Sequence, residues 1–464
     1  MLTTCCSWGS PLWTSRTTSI QSVMSRLWRA FASSPLSARR FLFIIPGTSA
    51  PSMTLSSWWQ ARQFLTYKIK GAYKYLGVRV GLNYRQDNSE FFQGITRDVK
   101  LVAASPLAPW QKFTTIRAHI LARAEFLCRN SHIQKRDVAE LDKTLISTGK
   151  RILNLPTRAN VNLVHLSCNK GGAALPHFRA LLEIYTISHA FRLLASDDPI
   201  TSDVAFAGLQ SAVRKKILRD PTPGECADFL NGKKADDFAR DAGDLSTQWS
   251  RARQAADRLA KYIKFSWTYK EELGCFHLNI YRSPNPVCVV PSTAGLVTRL
   301  LRDDLESFYI RQLSGLVDQW KTVEVFSQHP ASNHFVQGGD FTRFCDWNFI
   351  HRARLGCLQL NATMRFSKRN PKCRKSGYAR ETIPHVLNHC KPHSDAWKRR
   401  HDAIQNRVAR AITSSCGSVS LNKKFPGISQ TLIPDMVLTK KSGEVFVIDF
   451  TVAFEERPQV FCLC

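Results

Sequence analysis

The sequence predicts a mainly α fold that ends in a small C-terminal α/β domain. Three observations support this prediction. Apolar residues recur at helical spacing through the middle of the chain, as in Phe113, Ile116 and Ile120. Two apolar, β-branched runs at 432–438 and 445–452 flank a Lys-Lys-Ser-Gly turn, which is the pattern of a β-hairpin. Between these regions lies a cluster of closely spaced cysteine and histidine residues.

The chain carries a large excess of positive charge. Its 464 residues include 65 Lys and Arg against 36 Asp and Glu, a formal net charge of +29. A field of this sign concentrates polyanions, so DNA and RNA are the expected partners. The longest frankly apolar run, 41–45, is much shorter than the roughly 20 residues of a membrane-spanning helix. We therefore expect no membrane partner.

The N-terminal segment differs from the rest of the chain. Its first 86 residues carry eleven Lys or Arg and no Asp or Glu. A basic, Ser-rich, acid-free N-terminus is typical of a mitochondrial transit peptide. Four prolines and the lack of a regular apolar period favour instead a stretch without native structure.

Ordinary folding is expected from Tyr75 onwards. Residues 75–80 form a predicted strand, because aromatic and β-branched side chains are followed by Gly81 and Asn83. Helices are predicted at 109–128, 137–155, 181–194, 247–265 and 296–316. Residues 196–245 contain three prolines and a run of Asp and Lys, which predicts a surface loop.

The residues Cys373, Ser376, His385 and Cys390 have the spacing Cys-x2-Ser-x8-His-x4-Cys. Zinc prefers four tetrahedral ligands, and a short turn followed by a His and a Cys can supply them. The pattern therefore predicts an incomplete Zn²⁺ site with Cys373, His385 and Cys390 as ligands. His389 or His393 would complete it. The alternative is a basic loop in which these residues are unrelated.

The region around the cysteines is strongly basic. Residues 365–400 hold eleven Lys or Arg against Glu381 and Asp395, with Phe366, Tyr378 and Trp397 between them. Basic and aromatic side chains together suit phosphate contacts and base stacking, although a charged run is also typical of a solvated face. The predicted nucleic-acid-binding residues are Arg352, Arg354, Arg374, Lys375, Lys398 and Arg399.

The C-terminal hairpin carries two aspartates at equal distances from its turn. Asp435 and Asp449 both lie seven residues from Ser442, so an antiparallel register centred there sets them opposite each other, about 5 Å apart. Like charges so close repel, and a shared Mg²⁺ relieves the repulsion while binding phosphate oxygens. Asp435 and Asp449 are thus the predicted metal ligands and catalytic residues. A register slip of one residue would instead place them on opposite faces.

These motifs resemble the polyproteins of site-specific non-LTR retrotransposons that end in a restriction-like endonuclease. Pro434-Asp435 and Asp449-x-Thr451-Val452 are similar to that family's nuclease core, and residues 373–393 to its zinc knuckle. His351-Arg352-Ala353-Arg354-Leu355 resembles the basic element before the knuckle. Further similarity lies at Tyr75-Leu76-Gly77, Pro109-Trp110-Gln111-Lys112, Leu155-Pro156 and Gly171-Gly172-Ala173-Ala174-Leu175-Pro176.

The resemblance implies an RNA-directed DNA polymerase and endonuclease located in the nucleus. It implies the following divisions: a non-native or out-of-frame segment at 1–64, the end of the polymerase palm at 65–105, a helical thumb at 106–195, a helical linker at 196–340, a basic zinc-knuckle-like region at 341–412, and a truncated α/β nuclease-like core at 413–464.

The chain departs from the family pattern in ways that limit the expected activity. It contains no Tyr-Ala-Asp-Asp motif, Ser376 replaces a knuckle cysteine, and Thr451 stands where related nucleases keep a Lys. We therefore expect a C-terminal fragment that binds nucleic acid, with a partial endonuclease site and no polymerase site. The alternative is a non-enzymatic basic nucleic-acid-binding protein located in the mitochondrion.

Overall fold

The structure is a computed structural model. It describes residues 73–75, 78–80, 87–239, 246–316, 320–339, 342–364, 370–412, 414–424 and 433–452. The expectations for residues 1–64, for Phe366 and for the segment after Val452 fall outside these ranges.

Helices dominate the described residues. In chain order they are α1 (Ser89–Ala104), α2 (Pro109–Thr115), α3 (Ala122–Asn130), α4 (Lys135–Ile152), α5 (Asn162–His165), α6 (Phe178–Leu194), α7 (Pro199–Ile217), α8 (Pro223–Leu230), α9 (Gln248–Leu259), α10 (Val297–Ser314), α11 (Trp320–Gln328), α12 (His334–Gly338), α13 (Phe344–Arg354) and α14 (Ser394–Ala411). A π-helical turn, Ile116–Leu121, joins α2 to α3.

The described strands form three antiparallel sheets. A two-stranded sheet pairs β1 (Tyr73–Tyr75) with β2 (Val78–Val80). The second sheet has the order β3-β4-β5, with β3 at Phe265–Lys270, β4 at Cys275–Ile280 and β5 at Val287–Val289. The third has the order β6-β7-β8, with β6 at Gly417–Leu421, β7 at Met436–Lys440 and β8 at Val445–Ile448. The prediction of a mainly α fold with a small α/β region is confirmed.

The chain divides into two compact units, and α6 is the core of the first. This unit contains residues 125–135 and 178–305, together with the described residues up to 89. Twelve of the 17 residues of α6 are buried, among them Phe191, whose ring lies 5.7 Å from that of Trp267 in β3. The buried Glu183 accepts two hydrogen bonds from Arg258, at 2.7 and 2.9 Å, and also pairs with Lys135. These charge-assisted bonds offset the cost of burying its carboxylate.

Three sequence-based expectations for this unit differ from the structure. Residues 196–245 were predicted to form a loop, but α7 and α8 lie within them, and each helix begins with a proline at its first position. A proline there loses no helical hydrogen bond, because the first N–H groups of a helix have no internal partner. The sheet β3-β4-β5 lies in a region predicted to be a helical linker. The single strand predicted at 75–80 is instead the β1 and β2 pair.

The second unit contains residues 90–124, 136–177 and those from 306 onwards. Its core includes the fully buried rings of Phe113 and Trp347, which lie 6.4 Å apart. The helices predicted at 109–128 and 137–155 are present, the first with the π-helical turn inside it. Among the residues that the structure describes, no helix has both the length and the apolar composition needed to cross a bilayer.

Glu225 is expected to make the stability of the first unit dependent on pH. Hydrogen bonds from Arg219, followed by the Thr222 N–H, lower the pKa of Glu225 from 4.5 to about 2. Because the folded-state pKa is the lower one, the stabilisation is present above about pH 4.5 and is lost as the pH falls towards 2. We expect Glu225→Gln to reduce the free energy of unfolding by about 0.5 to 1 kcal/mol at pH 7, since the pair is partly screened by solvent.

Urea unfolding at pH 7 and at pH 3 checks this expectation. The difference between the wild type and Glu225→Gln should shrink at the lower pH. Glu272→Gln changes an exposed glutamate in the turn before β4 and is the matched control. An equal difference at both pH values would contradict the role given to Glu225.

Candidate functional site

The two aspartates of the C-terminal hairpin lie together. The pairs Met436↔Ile448 and Thr439↔Val445 fix an antiparallel register that continues to Asp435 opposite Asp449. The Asp449 carboxyl donates a hydrogen bond to that of Asp435, so the two groups share one face of the ribbon. The predicted register is therefore confirmed, and the alternative of a one-residue slip is wrong.

Of the two carboxyl groups, that of Asp435 is held by more hydrogen bonds. Its Oδ2 accepts hydrogen bonds from the Phe450 N–H at 2.7 Å and from His401 Nε2 at 2.9 Å. Burial alone would raise the pKa of Asp435, but the bonds from Phe450, Asp449 and His401 lower it. The hydrogen bond to Asp435, followed by burial, raises the pKa of Asp449. The two carboxyl groups are therefore close enough to bind one cation between them.

Two residues of α14 hold Asp435, and sequence analysis missed both. His401 bonds the Asp435 side chain, and Gln405, one turn further on, donates to the Asp435 backbone carbonyl. Gln405 is buried and also donates to Asn422 Oδ1 at 3.1 Å. The hydrogen bond with Asp435 raises the pKa of His401. The available signal was a polar His and Gln spaced i, i+4 on the helix that precedes the hairpin.

The predicted zinc ligands form a compact buried cluster. Ligand atoms of Cys373, His385 and Cys390 lie within 4.8 Å of one another. The two sulfurs are 3.8 Å apart. Two thiolates on one tetrahedral zinc, with Zn–S bonds of about 2.3 Å, lie about 3.8 Å apart. The residues present therefore fit zinc in spacing and in ligand type.

The surroundings favour a thiolate on Cys373. Burial alone would raise the pKa of this thiol, but hydrogen bonds from the Ser376 hydroxyl and from nearby backbone N–H groups lower it to about 6. The turn that holds it is closed by the bond from the Cys373 N–H to the Tyr378 carbonyl, at 2.8 Å, with Gly377 at φ 69°. A thiolate is the form that binds metal.

Ser376 occupies the fourth corner of the cluster. Its Oγ lies 3.0 Å from His385 Nε2, the nitrogen that faces the sulfurs, and the residue is exposed to solvent. The ring of Tyr378 stacks on His385 at 4.6 Å and fixes its orientation. Three buried ligands thus surround a position whose fourth side is open to water.

Helix α14 joins this cluster to the aspartate pair. Arg400 donates to Asn388 Oδ1 at 2.9 Å, and Asn388 Nδ2 donates to the Val452 carbonyl at 3.4 Å. Asn388 lies between His385 and Cys390, whereas Val452 follows Asp449 on the hairpin. The two candidate sites therefore belong to one hydrogen-bonded assembly within the second unit.

The predicted nucleic-acid-binding residues divide into two groups. Lys375, Lys398 and Arg399 are exposed, and the structure leaves their charges accessible. Arg374 pairs with the buried Glu381 at 3.0 Å, and Arg352 Nε donates to the Asn154 carbonyl at 2.5 Å. These two guanidinium groups have structural contacts that limit their use in binding.

Arg354 is the clearest departure from the predicted surface role. It is 6% exposed, donates to Asn333 Oδ1 at 2.7 Å and to the Ser332 carbonyl at 3.0 Å, and lies over the ring of Phe326. Burial, followed by the charge of Arg354, lowers the pKa of the neighbouring His351 to about 3. The prediction that Arg354 contacts nucleic acid is therefore wrong, because its guanidinium is enclosed in the core.

No protein-family model matches this chain. Three known proteins are similar to parts of it. An uncharacterized protein of Caenorhabditis elegans is 21% identical over 308 residues, which cover 63% of this chain and 86% of that protein. A retrovirus-related Pol polyprotein from the type-1 retrotransposable element R2 of Popillia japonica is 23% identical over 163 residues, or 35% of this chain and 30% of the polyprotein.

A second R2 Pol polyprotein of the same beetle is 28% identical over 107 residues, or 23% of this chain and 15% of the polyprotein. The chain thus spans less than a third of the length of either polyprotein. The chain is thus similar, over part of its length, to polyproteins of retrotransposable elements.

We expect Arg354→Lys to destabilise the second unit without a specific loss of nucleic-acid binding. A lysine cannot reproduce the two hydrogen bonds and the ring contact, so buried acceptors lose their donors at a cost of about 2 to 3 kcal/mol. Urea unfolding measures this loss. The matched variant Arg399→Lys, on the exposed side of α14, should leave stability unchanged. Equal stability of Arg354→Lys and the wild type would contradict the structural role.

Proposed function

We propose that this retrotransposon-related chain binds DNA and RNA and carries a partial, Mg²⁺-dependent DNA endonuclease site. The observation that carries the proposal is the register of β7 and β8, which sets Asp435 opposite Asp449 with their carboxyl groups in hydrogen-bonding contact. The positive charge of the chain and the similarity to R2 polyproteins support a polynucleotide substrate. Nuclear localisation follows as part of this proposal, because chromosomal DNA would be the target.

The proposed chemistry assigns a distinct task to each residue of the site. Mg²⁺ bound by the two carboxylates would polarise a phosphodiester and lower the pKa of an attacking water. Asp435 is pre-oriented by His401 and by the Phe450 N–H, which both donate to its Oδ2. His401 is a positioning residue. Because its bond fixes the Asp435 rotamer, less entropy is lost when the pair binds a cation.

A second candidate function is binding without cleavage, and Thr451 favours it. Related nucleases place a Lys there, and a cation next to the scissile phosphate would stabilise the charge that develops during attack. A chain with Thr451 lacks that stabilisation. It would retain the exposed charges of Lys375, Lys398 and Arg399 for sequence-independent phosphate contacts.

We also propose that Cys373, His385 and Cys390 bind zinc. The sulfur separation, the burial of the three residues and the low pKa of the Cys373 thiol support this assignment. A bound zinc would stabilise the turn at 373–377 and keep Asn388 in place beside the hairpin. Its role would be structural, since metal binding stabilises the fold of such short loops.

We expect Asp435→Asn and Asp449→Asn to reduce Mg²⁺-dependent nicking of supercoiled plasmid at least about 100-fold, because each change removes a charge that binds the metal. Asp395→Asn, an exposed acid in the first turn of α14, should nick like the wild type. Gel separation of nicked and supercoiled forms gives the rates.

Equal nicking by all four proteins would exclude Asp435 and Asp449 as the source of cleavage. Absence of nicking by the wild type, with retained DNA binding in a gel-shift assay, would instead select the binding-only function.

We expect Ser376→Cys to raise the affinity for zinc at least about tenfold, because a third thiolate gives the cluster a fourth ligand. Competition with a chromophoric chelator measures the affinity of the purified chain. Ser376→Ala is the control that changes the same residue without adding a ligand. If Ser376→Cys and Ser376→Ala bind zinc equally well, the assignment of this corner as a metal position is wrong.

A further inference from the structure

A cavity of about 450 Å³ lies in the second unit, and five of its seven lining residues have polar side chains. Its polar lining residues are Thr114, Arg117, Ser167, Asn169 and Gln337, and we call it the Arg117 pocket. All five side chains can donate hydrogen bonds, and none of the lining residues is acidic. A pocket of this composition favours an anion that only accepts hydrogen bonds.

Arg117 supplies the positive charge of this pocket. It lies on the π-helical turn Ile116–Leu121, and its Nη1 donates to the Ala173 carbonyl at 3.0 Å and to Cys168 Sγ at 2.6 Å. Both contacts use the same nitrogen, which leaves the N–H groups of Nε and Nη2 for a ligand. Within the described parts of the chain, no carboxylate pairs with Arg117. Its charge is therefore fixed in position but not neutralised.

The opposite wall of the Arg117 pocket is held rigidly. The Asn169 carbonyl accepts a bond from Asn333 Nδ2 at 2.7 Å, and its side-chain Oδ1 accepts one from Gln337 Nε2 at 2.8 Å. This arrangement leaves Asn169 Nδ2 as a free donor. Gly172 allows the loop to fold closely, since a Cβ there would lie 2.2 Å from the Leu166 carbonyl oxygen.

The acid nearest to this loop is already neutralised. Glu306 accepts a bond from the Ser167 N–H at 2.7 Å and pairs with Lys170 at 3.2 Å. Its carboxylate therefore contributes little repulsion to an anion beside Arg117. The local charge of the pocket is set by the guanidinium.

We propose that the Arg117 pocket binds a backbone phosphate of a nucleic-acid strand. A phosphodiester carries one negative charge and only accepts hydrogen bonds, which matches one unpaired guanidinium surrounded by neutral donors. The cavity is larger than a phosphate group, so the adjoining sugars of a strand also fit. This inference rests on the proposed nucleic-acid binding and adds a specific phosphate position to it.

Fluorescence anisotropy with a labelled single-stranded oligonucleotide, over a series of salt concentrations, tests the proposal on the full chain. Loss of one phosphate contact should weaken binding and reduce the slope of log K against log salt by about one unit. We expect this change for Arg117→Gln. Arg158→Gln removes the same charge from an exposed position outside the pocket and should change the slope much less.

A second pair of variants tests the pocket even if Arg117→Gln does not fold. Thr114 is exposed on the rim of the pocket, so its replacement should not disturb the core. Thr114→Asp places a carboxylate beside Arg117 and should weaken oligonucleotide binding as Arg117→Gln does. Ala118→Asp adds the same charge at an exposed position of the π-helical turn outside the pocket, so it should weaken binding much less. If Arg117→Gln and Thr114→Asp match their controls while the wild type binds, the pocket assignment is wrong and the proposed nucleic-acid binding stands.

Inorganic phosphate and adenosine monophosphate distinguish a strand from a free ligand. A strand makes many contacts besides the one in the pocket. Neither small competitor should therefore bind at the concentration at which the oligonucleotide saturates the protein. Tight binding of adenosine monophosphate that Arg117→Gln abolishes, with oligonucleotide binding unchanged, would overturn the assignment to a strand. No oligonucleotide binding by the wild type at any salt concentration would overturn both the pocket and the proposed function.

Discussion

The candidate site depends on the hydrogen bonds between α14 and Asp435. His401 binds the Asp435 side chain and Gln405 binds its backbone, from consecutive turns of one helix. The same helix reaches the cysteine-containing loop through Arg400 and Asn388. A helix is stiff, whereas the β6-β7-β8 sheet is built from strands of only four or five residues. The position of the aspartate pair is therefore set by α14 as well as by the turn of the hairpin.

The aspartate pair has two ways to relieve its repulsion, and they exclude each other. The hydrogen bond to Asp435 favours the protonated form of Asp449 and raises its pKa. A divalent cation would neutralise both carboxylates and compete with that proton. The bonds from His401 and Phe450 stabilise the charged form of Asp435, so they favour the cation over the proton on this side of the pair. In the proposed nuclease, Thr451 in place of a Lys would affect a later step, the stabilisation of charge on the phosphate.

The sequence predicted the hairpin better than it predicted the surrounding fold. The register of Asp435 and Asp449 was predictable because turn residues and alternating apolar runs constrain a short ribbon locally. Pro199 and Pro223 were misinterpreted because a proline that starts a helix and one that interrupts it have the same local signature. The strands of the β3-β4-β5 sheet, in a region predicted to be helical, depend on pairing with one another, which a linear pattern does not show. His401 was missed for a similar reason, since its partner lies 34 residues away.

The net charge of +29 is not a count of phosphate contacts. Arg258 pairs with a buried carboxylate, and Arg282 pairs with Asp304 in the same way. Arg354 is enclosed by aromatic rings. Such groups contribute to the long-range field that attracts a polyanion, but their guanidinium groups are engaged within the fold. What distinguishes a binding residue is a charge that the fold holds in place without a carboxylate partner and leaves accessible. By this criterion Arg117, which lines a cavity, is favoured over Arg354, which is 6% exposed.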